Sequence, residues 1–84
     1  MGKYPALNYN VISRCIRRIK TDEFDTYDFI NILEMIDRDY INLVSGIGVG
    51  WKSVIGKNLS KYSVDTNNIK KKKRKGNAQP WVKC

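Results

Sequence analysis

The chain has 84 residues, 42% of them hydrophobic and 29% charged. That composition fits one small domain with a modest core and leaves no room for a second. Histidine is absent and two cysteines occur, Cys15 and Cys84, which excludes His-based acid–base catalysis and a Cys-rich metal cluster built by one chain. No enzymatic activity, metal or cofactor is expected.

The longest uncharged run, Tyr40 to Trp51, has twelve residues and three glycines. It is too short and too broken to span a bilayer. The opening Met-Gly-Lys-Tyr-Pro has no apolar core of a secretory signal. The expectation is an intracellular protein, cytoplasmic or nucleoid-associated, with no membrane partner. Its formal charge is +8, and the distribution is uneven. Residues 1–21 carry +5, residues 22–40 carry −6 and residues 41–84 carry +9. An acidic segment between two basic ones predicts a domain with two electrical faces, the basic one suited to a polyanion, nucleic acid before an anionic membrane.

The first helix is expected over 8–20. Leu7, Val11, Ile12, Cys15, Ile16 and Ile19 recur at three- and four-residue spacing and form one apolar stripe, with Arg14, Arg17 and Arg18 off it. Cys15 lies on the stripe and reads as a small core residue. Asp25 or Thr26 can cap the next helix after a short extended link at Phe24. That helix is expected over 26–45, either continuous or broken near Asp37-Arg38-Asp39. The glycine turn at 46–50 is the clearest break in the chain. A third helix is expected over 51–62. Trp51, Val54, Ile55, Leu59 and Tyr62 fall on one arc of it; Lys52, Ser53, Lys57, Ser60 and Lys61 fall on the other. A glycine inside a helix costs about 1 kcal/mol relative to alanine, so a packing reason is expected for Gly56. Val64 to Asn68 reads as turn chemistry.

The last segment, 69–83, holds six consecutive basic residues, Lys70, Lys71, Lys72, Lys73, Arg74 and Lys75. A localisation signal and a disordered basic tail both fit that composition. A hairpin fits more of it. Gly76-Asn77 suits a tight turn, Trp81 and Val82 supply an apolar return strand, and Pro80 is tolerated at a strand edge. Two enzymatic readings are weaker. Gly48 to Ser53 loosely resembles a phosphate-binding loop, but Trp51 stands where that loop needs glycine and a helix precedes it. The carboxylates between Asp22 and Asp39 read as a solvated face.

Taken in order, helix, extended link, helix, glycine turn, basic-faced helix and basic hairpin resemble a winged helix-turn-helix DNA-binding domain. The fold expected is therefore mostly α with a small C-terminal β-hairpin, three helices plus a basic wing. The resemblance covers about residues 8–84 and rests on element order and charge placement. It implies that Lys52, Ser53, Lys57, Ser60 and Lys61 face the major groove and that Lys70 to Lys75 form the wing contact. Arg14, Arg17 and Arg18 would clamp phosphates if the first helix presents them on the same side. The outward face of the third helix is Lys and Ser rather than the Arg, Asn and Gln that read bases bidentately, so phosphate contact is the firmer expectation.

The function implied is a small DNA-binding protein, a transcriptional regulator or accessory factor, with double-stranded DNA favoured over RNA. An RNA- or ribosome-associated module and a module that binds an acidic protein surface are the alternatives. A sequence-specific regulator of this size would act as a homodimer, although no heptad seam marks an interface.

Overall fold

A computed structural model gives the fold and describes residues 6–73, 76 and 78–84. Four helices and three short strands follow one another as α1 (Tyr9–Arg18), β1 (Glu23–Asp25), α2 (Thr26–Ile36), α3 (Arg38–Ser45), α4 (Trp51–Thr66), β2 (Ile69–Lys71) and β3 (Pro80–Lys83). The architecture is mostly helical with a small antiparallel sheet, as expected. One open alternative is decided, and in two places the structure departs from the expected element plan.

Of the two forms left open for the second helix, continuous or broken near Asp37, the structure has the broken one. Asp25 caps α2 through a reciprocal capping box with Asp28: each side chain accepts from the other residue's backbone N–H. The helix then stops at Asp37, whose φ of −142° and ψ of 73° leave the helical region. The same Asp37 carboxylate accepts from the Tyr40 backbone N–H at 3.1 Å and starts α3. One aspartate thus ends one helix and caps the next.

The expected hairpin is part of a three-stranded sheet. Its strand order is β1-β3-β2, both pairings antiparallel. The link at Phe24 is β1, with Phe24 opposite Trp81, and the two side chains are buried on the core face. Pro80 belongs to the central strand rather than an edge. It is tolerated because it is the first residue of β3, and its carbonyl accepts from the Lys72 N–H at 3.1 Å.

The boundaries of the first and last helices also move. α1 begins behind Asn8, whose side chain accepts from the Asn10 N–H at 2.7 Å. It ends at Arg18, two residues short of expectation, because Ile19 turns extended to enter the core. α4 runs on through Val64-Asp65-Thr66 to an Asn67 C-cap in the left-handed region, φ 59°. Asparagine is among the few non-glycine residues that take this conformation readily. In the glycine turn it is Gly48, at φ 122°, whose backbone requires glycine.

The core joins Ile12, Cys15 and Ile16 of α1, Phe29 and Leu33 of α2, Ile41 and Val44 of α3, and Ile55, Leu59 and Tyr62 of α4. Ile69 and Trp81 bring the sheet into it, each fully buried. Trp51, on the apolar arc of α4 with Val54, Ile55, Leu59 and Tyr62, is only partly buried at the core's margin. One polar residue of α4 is buried with these groups. Asn58 accepts from the Leu7 N–H and donates to the Tyr40 hydroxyl and the Val54 carbonyl. It ties the segment before α1, α3 and α4 together with its hydrogen-bonding capacity used.

Candidate nucleic-acid interface

The outward face of α4 follows from what the helix buries. With Val54, Ile55, Asn58, Leu59 and Tyr62 turned inward, positions 52, 53, 56, 57 and 60 form a continuous stripe on the other side. Lys52, Ser53 and Lys57 are exposed; Gly56 and Ser60 are half-buried. All five line an open groove of about 300 Å³. Its far wall comes from Thr26 and Tyr27 in the first turn of α2, and from Lys71 of β2, Ala78, Gln79 and Trp81 of β3.

The fold therefore brings four of the five expected helix residues, Lys52, Ser53, Lys57 and Ser60, to one concave surface with one lysine of the basic run. Lys61 is exposed but lies outside the groove lining. Among the others of the run, Lys70 and Lys73 are exposed. Arg74 and Lys75 lie outside the described residues, as does Asn77 of the expected Gly76-Asn77 turn. Lys72 is turned to a different task. Its ammonium meets the Glu23 carboxylate at 2.8 Å and pairs β1 with the end of β2. Lys83 is committed as well, since its ammonium donates to the Ile19 carbonyl past the end of α1.

Aromatic rings position the cations of the groove. The Lys52 ammonium lies 5.0 Å from the centroid of Tyr27 and 5.6 Å from that of Trp51. Lys71 lies 6.0 Å from the ring of Trp81. At exposed sites such contacts are worth about 0.5–1 kcal/mol, enough to bias where each charge points. Below them, the Trp81 indole N–H donates to the Thr26 hydroxyl at 3.2 Å, and that hydroxyl donates to the Gln79 carbonyl at 3.3 Å. The Gln79 side chain donates to the Lys72 and Pro80 carbonyls, both at 2.8 Å. This chain of bonds fixes the β3 wall against the start of α2.

Sequence reasoning missed Tyr27 as a groove residue, and Gln79 entirely. Tyr9 and Tyr27 are the two tyrosines to weigh for base stacking, and Tyr27 is exposed in the groove. Tyr9 is occupied: its ring packs edge-on against Tyr62 with centroids 5.3 Å apart, and its hydroxyl donates to the Asp65 carboxylate at 2.5 Å. That hydrogen bond, with burial and the Asp65 charge, raises the phenol to about 12.

Among the described residues nothing packs against Gly56 to give it a packing reason. A Cβ built there meets nothing within 4 Å; the missing side chain leaves the groove floor open. The three arginines of α1 are not brought to this groove. Arg14, Arg17 and Arg18 line a separate concavity with Met35 and Ile36 of α2, so the same-side condition attached to their phosphate contacts is not met by the groove geometry. The glycine turn precedes α4 and follows α3, without the strand a phosphate-binding loop needs. Among the described residues no three Cys, Asp or Glu side chains gather as metal ligands, and no helix is long and apolar enough to cross a membrane. No protein-family profile, curated protein or solved structure matches the chain.

Proposed function

We propose that this chain is a small double-stranded-DNA-binding protein of winged-helix type, with α4 as the helix that enters the major groove and the β2–β3 hairpin as the wing. The observation that carries this reading is the groove itself, where the Lys52, Ser53, Lys57 and Ser60 stripe of α4 meets Lys71 of β2 across an open, solvent-facing channel. The strand order β1-β3-β2, with α4 directly before β2, supports it. A helix followed by a hairpin whose exposed residues are lysines lays two successive elements on one phosphate surface. Within this reading the protein acts as a regulator or accessory factor, and Lys-Ser chemistry makes most of its contacts electrostatic rather than base-specific.

The test is a salt titration of binding to matched DNA and RNA duplexes and single strands. With about six phosphates neutralised, log K against log salt should fall with a slope of roughly −5 on duplex DNA. A slope shallower than about −2, or tighter binding to the RNA forms, overturns the proposal; the second outcome favours the RNA-associated alternative.

A further inference from the structure

The three arginines of α1 remain outside this function. Arg14, Arg17 and Arg18 have the i, i+3, i+4 spacing that sets side chains on one helix face, and all three are exposed. With Met35 and Ile36 they line a concavity of about 470 Å³ that shares no residue with the lysine groove. Tyr27, at the start of α2, borders the groove, and Met35, near its end, borders the concavity. Eight residues of helix, about 12 Å at its usual rise, separate the two.

The cluster is not explained by the fold's own needs. Arg17 and Arg18 sit in the last turn of α1, where the helix dipole favours cations. That does not account for Arg14, and like charges at i, i+4 oppose helix formation. None of the three is in an ion pair among the described residues. Asp37, which acts electrostatically on Cys15 alongside Arg18, has its carboxylate committed to the cap of α3. Met35 is 67% exposed beside the arginines, although it follows the apolar turn that buries Leu33.

The two faces differ in chemistry. The cations of the groove are lysines, set among serines and the rings of Tyr27 and Trp81; those of the concavity are arginines, beside methionine and isoleucine. Arginine and methionine are enriched in protein–protein interfaces, where lysine is depleted. Arginine grips carboxylates in a bidentate fork, and a thioether side chain adapts to the group packed against it. A phosphate backbone would use the arginines but give Met35 and Ile36 nothing to pack on. A second copy of the chain is the competing occupant: a two-fold contact can set the arginines of each copy against acids of the other, so a dimer that competes with the peptide for this face would overturn the proposal.

We propose that Arg14, Arg17, Arg18, Met35 and Ile36 form a docking surface for an acidic amphipathic segment of a partner protein, with carboxylates on the arginines and one apolar side chain on Met35 and Ile36. The domain then joins nucleic acid at one end of α2 to an acidic protein at the other.

The experiment is an NMR titration of the full chain, following the Met35 methyl and the arginine side-chain N–H signals. The probe is a synthetic helical peptide with glutamates along one face and a Leu-Phe pair at its centre. The expected result is saturable shifts confined to Met35 and the three arginines. Met35→Ser should weaken binding roughly tenfold, the fold-change that one apolar side chain left uncovered produces. Arg17→Glu with Arg18→Glu should abolish it. Both sites are on the surface, and a thermal melt of each variant establishes that it folds. The proposal fails if the peptide produces no shifts, or if its Leu-Phe pair can be replaced by Ser-Ser without loss. It also fails if a short DNA duplex moves the Met35 and arginine signals as far as the peptide does, since the face then belongs to nucleic acid. Duplex binding read at α4 is a separate signal, so loss of the DNA-binding reading and loss of this one are distinguishable.

Discussion

Gly56 separates stability from binding. It is the sixth of sixteen residues in α4, deep enough for its helix propensity to count fully. The cost of glycine against alanine there is about 1 kcal/mol, and the space around it is open to a methyl group. Gly56→Ala should therefore stabilise the domain by about 1 kcal/mol, a rise in Tm of roughly 4–8 °C for a domain of this size. The same methyl group enters the groove between Lys52 and Ser60, which stand one turn to either side. Gly56→Leu keeps a good helix former and fills more of that space. If nucleic acid comes down onto this stripe, Gly56→Leu should weaken duplex binding at least about tenfold, or 1.4 kcal/mol, while the fold stays as stable as the parent or more so. Circular-dichroism melts and fluorescence anisotropy at one fixed salt concentration measure both quantities on the same preparations. Unchanged binding by Gly56→Leu would refute the assignment of the groove as the contact surface. A fall in Tm for Gly56→Ala would refute the claim that the site is open.

Three further outcomes follow from side-chain environments. Trp81 is fully buried and bonded to Thr26, so Trp81→Ala should cost about 3–5 kcal/mol and leave little folded protein in a thermal melt; a melt like the parent's would mean the sheet is not part of the core. Tyr9 is held protonated to about 12 against an ordinary 10.0, first by its bond to Asp65. A folded-state value raised in this way contributes stability that is complete below pH 10 and lost as pH rises through 12. The difference in denaturant midpoint between the parent and Tyr9→Phe should shrink across that window, and a constant difference would contradict it. Cys15 is buried, and burial, aided by Asp37, pushes its thiol up to about 11, whereas Cys84 is exposed; a thiol reagent should label Cys84 rapidly and Cys15 only on unfolding, and two equally fast thiols would contradict the buried placement.

Most of the helical layout was legible because it rests on periodicity. The α1 stripe, the break at Asp37 and the glycine turn each have a local cause within a few residues. β1 was only a link because its three residues, Glu23-Phe24-Asp25, contain one apolar side chain and show no alternation. Its strand character comes from pairing with β3, whose register sets Phe24 against Trp81 fifty-seven positions later. The end of α4 was misplaced for a similar reason. Asp65, Thr66 and Asn67 are turn formers by composition, yet Thr66 bonds back to the Tyr62 carbonyl at 2.8 Å and Asn67 serves as the left-handed cap. Asn58 lies on the buried arc of α4 but is polar, so no hydrophobic pattern marks it; its role depends on Leu7 and Tyr40, which come from other elements. The groove was half legible. Its α4 wall follows from helical spacing, and its α2 and β3 wall exists only once the sheet has formed.

The basic count of a segment is not the charge it offers to a ligand. The +9 of residues 41–84 includes two lysines with partners inside the molecule, Lys72 in a solvent-exposed pair with Glu23 and Lys83 on the Ile19 carbonyl. Glu23 is thus more than part of an acidic face, since it pairs with a lysine of the basic run. Exposed lysines on α4, β2 and the residue after Lys72 are Lys52, Lys57, Lys61, Lys70, Lys71 and Lys73. Six such charges set the scale of the slope near −5 by counterion release at about 0.9 per phosphate. Lys52 and Lys71 lean on aromatic rings that line the groove, and Lys61 stands outside it. The contribution of each lysine to the slope should follow that placement rather than its position in the run: substitution of Lys71 or Lys73 flattens the slope, and substitution of Lys72 flattens it less, because its charge is shared with Glu23 in an exposed pair worth about 1 kcal/mol or less. If all three flatten it equally, the basic segment binds as an unstructured polycation, and the ordered wing is irrelevant to binding.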